Sequence, residues 1–406
     1  MNYTYSSKGI CAPIGFRAAG IHCGIRKNKT KKDLALIISD CDCSAAAVYT
    51  ANLVKGAPIY VTKKNLENGI ARAVIVNSGN ANTCNADGIE VAEKMCALVE
   101  QYTGIPACDV VVASTGVIGQ PLNITPIESN MSALVDALGY NNSSDANQAI
   151  MTTDTKEKSV AVEFMLGGKK CAIGGIAKGS GMIHPNLATM LVFITTDVAI
   201  SSEMLEKALR GDVEDTFNMT SVDGDTSTND TLCVMANGMA GNEKIVGEGQ
   251  DFEDFKSALH ALTSEMCKMI AADGEGATRM IEVKVSGAID KPNARKIAKS
   301  VACSSLTKAA IFGADANWGR VLCAIGYSGA DVDVNKVGVE FISDKGGIAV
   351  CQNGAGVPFS EPRAKEILLE SKIIINITLG DGDAVATAYG CDLTYEYVRI
   401  NGDYRT

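Results

Sequence analysis

Gly174-Gly-Ile-Ala-Lys178-Gly-Ser-Gly181-Met-Ile-His184-Pro-Asn-Leu-Ala188-Thr189-Met-Leu-Val-Phe-Ile-Thr195 passes from a glycine-rich polar run into an apolar run. The apolar run opening at Thr189 has the length and β-branched content of a buried strand. Just upstream, residues 158–165 and 169–177 alternate around Gly167-Gly168 and predict two strands joined by a tight turn. Further out, strands are expected at Leu34-Ala-Leu-Ile-Ile-Ser, at Ala45-Ala-Ala-Val-Tyr-Thr and at Ala73-Val-Ile-Val-Asn. The last of these runs into Asn77-Ser-Gly-Asn-Ala-Asn, which reads as a polar turn-rich stretch. Another strand over 109–113 ends in Ser114-Thr115-Gly116. Apolar residues at helical spacing predict helices over 88–102, 125–139, 143–151, 201–218 and 252–272, with a strand at 231–236. The last third adds a strand from Thr278, helices over 291–302 and 361–370, and strands over 337–342 and 372–379. The class is α/β mixed (α+β), with a domain boundary placed near 280: a main domain 1–280 and a smaller α/β domain 281–406.

Composition bounds the chemistry. The 406 residues carry 37 basic and 47 acidic side chains, a formal charge of −10. That balance argues against nucleic acid or an anionic membrane as partner, and it leaves room for a small anionic substrate in a locally cationic pocket. Fourteen Cys without a CxxC, and only His22, His184 and His260, make a zinc site of ordinary ligand spacing a poor expectation. The opening twenty residues lack the basic-then-apolar pattern of a secretory leader. No run approaches the roughly 18 apolar residues of a membrane span. Reduced, buried thiols in a cytoplasm are the expectation.

Several local patterns carry candidate chemistry. The run 174–181 is not a phosphate loop, because Lys178 precedes its glycine and no Ser or Thr follows it directly. At Ala188-Thr189 a small residue precedes a hydroxyl-bearing one. The Thr189 hydroxyl can attack the neighbouring carbonyl, and chain scission there would give Thr189 a free α-amine. With a reference pKa of about 7.7–8.0, that amine can take the proton from its own hydroxyl. On local pattern alone, a β-branched residue opening a strand is the commoner meaning. Thr115-Gly116 can present a hydroxyl and an unobstructed backbone N–H to a developing oxyanion, or be an ordinary strand-to-turn junction. The acidic stretch 221–230 lacks the trailing Glu of a calcium loop and reads as a turn. Glu275 follows a helix stop and, taken by itself, reads as surface charge. His184 reads as a loop-shaping residue rather than as the base of a dyad.

Together these runs resemble the ornithine acetyltransferase family, the glutamate N-acetyltransferases of arginine biosynthesis. The segment 174–191 is similar to its cleavage-site motif. Asn77-Ser-Gly-Asn-Ala-Asn, Ser114-Thr-Gly-Val-Ile-Gly, Met151-Thr-Thr-Asp-Thr, Asp225-Thr-Ser-Thr-Asn-Asp, Asp273-Gly-Glu-Gly-Ala-Thr, Ala314-Asp-Ala-Asn-Trp-Gly-Arg and Asn401-Gly-Asp-Tyr-Arg-Thr follow in family order. The departures are mild, such as Leu187 where Met is commoner.

The resemblance implies an autoprocessing enzyme, cut between Ala188 and Thr189 into fragments of 188 and 218 residues. It implies Thr189 as nucleophile, with the Thr115 side chain and the Gly116 backbone as oxyanion hole. Thr152, Lys178, Thr189, Glu275, Asn401 and Thr406 match its substrate-binding positions. It implies acetyl transfer from N2-acetyl-L-ornithine to L-glutamate through an acetyl-Thr189 intermediate. No metal or prosthetic group is called for, and acetyl-CoA is an alternative donor that the sequence does not decide. The implied fold is an αββα-type sandwich of the N-terminal-nucleophile-like acyltransferase kind, followed by a smaller C-terminal α/β domain whose tail reaches the active site. The implied assembly is a heterotetramer with two copies of each fragment. Two other readings compete: an N-terminal-threonine amidase or aminopeptidase with water as acceptor, and a binding protein without turnover.

Overall fold

Residues 34–38, 73–76 and 110–113 are apolar at every position, which is the pattern of strands covered on both faces. The computed structural model, which describes residues 3–184 and 190–403, bears this out. Side chains alternate along a strand, so each run splits between two cores. Leu34, Leu36, Ile38, Ala73, Ile75, Val110 and Val112 pack with Met95, Val99, Ile127 and Met131. Ala35, Ile37, Val74, Val76, Val111 and Ala113 pack with Ala149, Ile150, Ile176, Phe193 and Met235. A register slip of one residue would exchange the two sets, so the two cores together fix the pairing.

The chain divides into two units, each with its own sheet. The first comprises Met1–Gly179, Asn186–Val213 and Thr226–Met266, and the second Ser180–Pro185, Glu214–Asp225 and Cys267–Thr406. The strands of the first unit are β1 (Thr4–Ser6), β2 (Phe16–Ile21), β3 (Leu34–Tyr49), β4 (Ile70–Asn80), β5 (Val110–Val117), β6 (Lys158–Leu166), β7 (Lys169–Lys178), β8 (Leu191–Thr196) and β9 (Thr231–Ala236). They pair in the order β1-β6-β7-β8-β9-β3-β4-β5, with β2 added beside β3. β8 runs parallel to β9 and β4 parallel to β5, while the other pairings are antiparallel. The helices here are α1 (Ala57–Asn65), α2 (Gly88–Thr103), α3 (Thr125–Asp136), α4 (Ser143–Ile150), α5 (Ser202–Val213) and the long α6 (Gln250–Ala272).

Three expectations change in this unit. The two strands expected over 34–50 are one strand, β3, whose register with β4 shifts between Ile38 and Cys43. Asp40 sits in that irregularity, paired with Arg17 at 3.1 Å, while Arg72 donates to the Asp40 carbonyl at 3.0 Å. The polar interruption is thus a bulge rather than a turn. Asn77-Ser-Gly-Asn also continues the β4 strand to Asn80, and Asn77 and Ser78 are fully buried. The Asn77 amide donates to the Asn80 carbonyl at 2.9 Å and accepts from the Ser114 hydroxyl at 2.6 Å, so the polar groups satisfy one another. The helix expected over 201–218 ends at Val213 and is followed by a short 3-10 turn, Phe217–Met219.

The second unit holds β10 (Met280–Ala288), β11 (Gly338–Ser343), β12 (Gly346–Gln352), β13 (Ala355–Gly356), β14 (Lys372–Thr378) and β15 (Ala384–Cys391), in the order β13-β12-β11-β14-β10-β15. Its helices are α7 (Lys291–Cys303), α8 (Ser305–Phe312), α9 (Trp318–Gly326), α10 (Glu361–Leu368) and α11 (Tyr395–Asp403). Ile281, Val283 and Val285 point into a core shared with Phe341, Ile373, Ile375, Ile377 and the apolar side of α7. Between them Glu282 lies buried, within 3.0 Å of Lys372 and 3.4 Å of Lys284. Asp290, Ser304, Asn317 and Ser360 cap α7, α8, α9 and α10, each accepting a backbone N–H of the first turn. Among the described residues, no helix is long and apolar enough to cross a membrane.

Candidate functional site

β5 brings Thr115 and Gly116 to the end of a strand that β4 borders in parallel. There the pairing becomes irregular, with Thr115 opposite both Ser78 and Asn80. Gly116 adopts φ +133°, and a Cβ on it would lie 2.3 Å from the Gly79 carbonyl carbon. Only glycine fits that approach. Asn229 ties the turn to the start of β9: its amide donates to the carbonyls of Ala81 at 2.5 Å and Ser114 at 3.0 Å, and it accepts from the hydroxyls of Thr83 and Thr228, each at 2.6 Å.

Asp230 follows directly. It is 2% exposed, and its Oδ2 has no hydrogen-bond partner among the described residues. Burial pushes its carboxyl well above the ordinary range, and the Ser227 hydroxyl, the charge of Lys178 and the Thr50 hydroxyl only partly oppose this. Lys178 is itself buried at the end of β7, and the registers Lys178↔Leu191 and Leu191↔Thr231 set it two strands from the residue after Asp230.

Lys178 also acts on a second carboxylate, Asp154. Burial alone would raise the Asp154 carboxyl, but the ammonium groups of Lys158 and Lys178 outweigh it and hold the group well below the usual carboxylate range. Asp154 accepts from Lys158 Nζ at 2.8 Å, from Gly179 N at 2.7 Å and from Thr152 N at 3.0 Å. One buried carboxylate therefore links Thr152 to the turn that follows Lys178. In the first unit, Asp154 thus links Thr152 to the end of β7, and Asn229 links Ser114, the residue before Thr115, to the start of β9.

In the second unit Glu275 is buried, not a surface charge as its sequence context reads. Its backbone N–H donates to the Ser180 carbonyl at 2.9 Å, and its Oε2 accepts from the Asn401 amide at 2.7 Å. Gly181 lies flat against that carboxylate, where a Cβ would come within 2.4 Å of Glu275 Cδ. The run leading toward residue 184 is held throughout. Asp223 accepts from the backbone N–H groups of Met182 at 2.6 Å and Ile183 at 3.0 Å, and the Val222 N–H donates to the Ile183 carbonyl at 2.8 Å. The His184 ring lies 3.1 Å from the Ser221 hydroxyl and 3.6 Å from Cys303 Sγ. Burial, then the charge of Lys299, lowers its pKa. The stretch 221–230 is irregular, as expected, and Asp223 works within it as an acceptor of backbone N–H groups. Ala188, Thr189 and Thr406 lie outside the described residues.

Asp154, Lys158, Asn229 and Asp230 were not singled out by sequence reasoning. The available signal was a charged pair four residues apart, Asp154 and Lys158, opening an apolar alternating strand, where a solvated face is the ordinary reading. All fourteen Cys lie among the described residues, and none forms a disulfide. Burial pushes the thiols of Cys43, Cys96, Cys171 and Cys233 up to about 12, so they pack rather than react.

A model of the ArgJ family matches residues 17–406. The chain belongs to the ArgJ family. It is an acyltransferase of arginine biosynthesis, in line with its relatives. It is 50% identical over 405 residues to the arginine biosynthesis bifunctional protein ArgJ 1 of Clostridium acetobutylicum, covering 99% of this chain and 98% of that one. It is 48% identical over 395 residues to the arginine biosynthesis bifunctional protein ArgJ of Caldanaerobacter subterraneus subsp. tengcongensis, covering 97% and 98%. Among solved structures it is similar to the arginine biosynthesis bifunctional protein argJ from Bacillus halodurans. That match has 45% identity and a TM-score of 0.50, over 53% of this chain and 99% of that one.

Proposed function

We propose that this chain cuts itself between Ala188 and Thr189 and then moves an acetyl group from N2-acetyl-L-ornithine to L-glutamate. The observation that carries the reading is the kinship with bifunctional ArgJ proteins over nearly the whole chain. The chemistry runs in two halves. The freed α-amine of Thr189 takes the proton of its hydroxyl, and the Thr189 oxygen bonds to the acetyl carbonyl carbon. The bond from that carbon to the ornithine α-nitrogen then breaks. The nitrogen leaves with the proton, and an acetyl ester remains on Thr189. The α-amine of glutamate attacks the ester, the Thr189 oxygen recovers a proton, and N-acetyl-L-glutamate departs. The Thr115 hydroxyl and Gly116 N–H donate to the oxyanion in both halves. Lys178, with Thr152, meets the α-carboxylate that both substrates carry, and Glu275, steadied by Asn401, meets the δ-ammonium of ornithine. By resemblance, Thr406 is a further substrate-binding position. Acetyl-CoA is the alternative donor in this reading.

The finer architecture in this reading is an αββα-type sandwich with the C-terminal α/β domain from about 281 to 406. The assembly is two copies of each fragment, and the compartment is the cytoplasm. A break before Thr189 leaves 218 of 406 residues, close to the 53% of this chain that matches the solved Bacillus halodurans protein.

Purified protein is expected to run as two bands, and Thr189→Ala as one inactive band. An uncut wild-type chain that still transfers acetyl groups contradicts the mechanism. Glutamate acetylation with acetyl-CoA as sole donor tests the second activity. Release of acetate from acetylornithine at an unchanged rate with and without glutamate would make the protein an amidase.

A further inference from the structure

Lys158 and Asp154 are among the most deeply buried charges of the molecule, their side chains 1% and 0% exposed. A buried ion pair is costly to desolvate, and such pairs are often replaceable by neutral groups without loss of stability. Its presence here is therefore weak evidence for a stabilising role. What distinguishes this pair is its other partners. Asp154 Oδ1 takes the Gly179 N–H as well as Lys158 Nζ, and Oδ2 takes the Thr152 N–H. The carboxylate thus joins the residue after Lys178 to the loop after α4. Lys158 opens β6 directly opposite Ala177, the residue before Lys178, so the cation is anchored to the same end of β7. Lys158 Nζ also donates to the Lys156 carbonyl at 3.3 Å, which fixes the intervening turn.

We propose that the Asp154–Lys158 pair is the positioning element of the carboxylate-binding end of the site, holding Thr152 and Lys178 in one fixed geometry. Neither group touches substrate in this account, which rests on the acetyl-transfer reading above. With its charge answered by Lys158, Asp154 is held to accept both the Gly179 and the Thr152 N–H, which places Lys178 at the end of β7 and Thr152 together for the α-carboxylate shared by donor and acceptor. Both substrates therefore depend equally on the pair.

The test compares wild type with Asp154→Asn, Lys158→Met and the double variant. Each single variant leaves one member of the pair without its partner and lowers Tm, whereas the double variant, with neither charge of the pair, recovers most of that loss. In the double variant the carboxamide that replaces the Asp154 carboxylate cannot accept through both of its terminal atoms, so the Thr152 tether is lost. KM for both N2-acetyl-L-ornithine and L-glutamate is then expected to stay raised by about tenfold or more, with kcat changing less. A double variant that regains wild-type Tm and wild-type KM overturns the proposal, because the pair is then structural only. Amide exchange at Thr152 gives a readout independent of turnover: it is expected to be at least about tenfold faster in the double variant. Unchanged protection overturns the proposal whatever the kinetics. A wild type that transfers no acetyl group defeats the functional reading, and the exchange data then decide the positioning role alone.

Discussion

At Gly116 a single hydrogen atom decides whether two strands can end together. The φ of +133° and the 2.3 Å that a Cβ would leave to Gly79 make Gly116→Ala a local displacement of the β4–β5 end. If its N–H serves the oxyanion, kcat should fall by about a hundredfold or more with a cooperative fold retained. Steady-state kinetics beside a thermal melt would show this, and near-normal kcat would count against the role. Asp230 makes a different prediction. Between the ordinary aspartate pKa of about 3.9 and its own raised value, the folded chain holds a proton that the unfolded chain has released. Stability therefore falls as pH rises through that window. Asp230→Asn removes the dependence, so it should melt higher than wild type at pH 8 and alike at pH 4. A Tm difference equal at both pH values would show that the carboxyl does not titrate in this way. The sequence marked Gly116 through its glycine and its neighbours. Nothing local signals that Asp230 is buried, because burial depends on strands far away in the chain.

Among the elements, those carried by strict periodicity were legible and those carried by local irregularity were not. The helices α2, α7 and α10 and the strands β6, β7 and β9 fall within a few residues of their expected ranges. The short helices α1, α8, α9 and α11 and the strands β2, β12 and β15 had not been anticipated. They are at most nine residues long, so neither period repeats often enough to stand out. Asp290 accepts from the Asn293 N–H at 2.8 Å, and Pro292 occupies the first turn of α7. Asp290→Ala should cost about 1 kcal/mol of stability, read as a lower urea midpoint with an unchanged slope. A midpoint shift below the error of measurement would mean that the packing of α7 on β10 and β15 makes the cap redundant.

At the scale of the molecule, the sheet of the first unit explains how a cut chain can stay together. Strands β1 to β7 precede residue 188, and β8 and β9 follow it. β8 pairs with β7 from Ile173↔Thr196 to Lys178↔Leu191, and β9 pairs with β3 from Ser44↔Ala236 to Tyr49↔Thr231. Two strand interfaces would thus join the fragments on either side of β8 and β9. The pieces are expected to co-elute under native conditions and to separate only in denaturant. Their separation on gel filtration in plain buffer would contradict this.

By itself the sequence determined the mixed α/β class, because apolar period and turn residues are local. It also determined the family, because several long motifs stand in fixed order. Only the tertiary structure decided that the polar run after Val76 is a buried strand, that Glu275 is covered and clasped by Asn401, and that the buried carboxyls of Asp154 and Asp230, both acted on by Lys178, are pushed in opposite directions. Each of these depends on desolvation and on partners distant in the chain, and neither can be computed from a residue and its immediate neighbours.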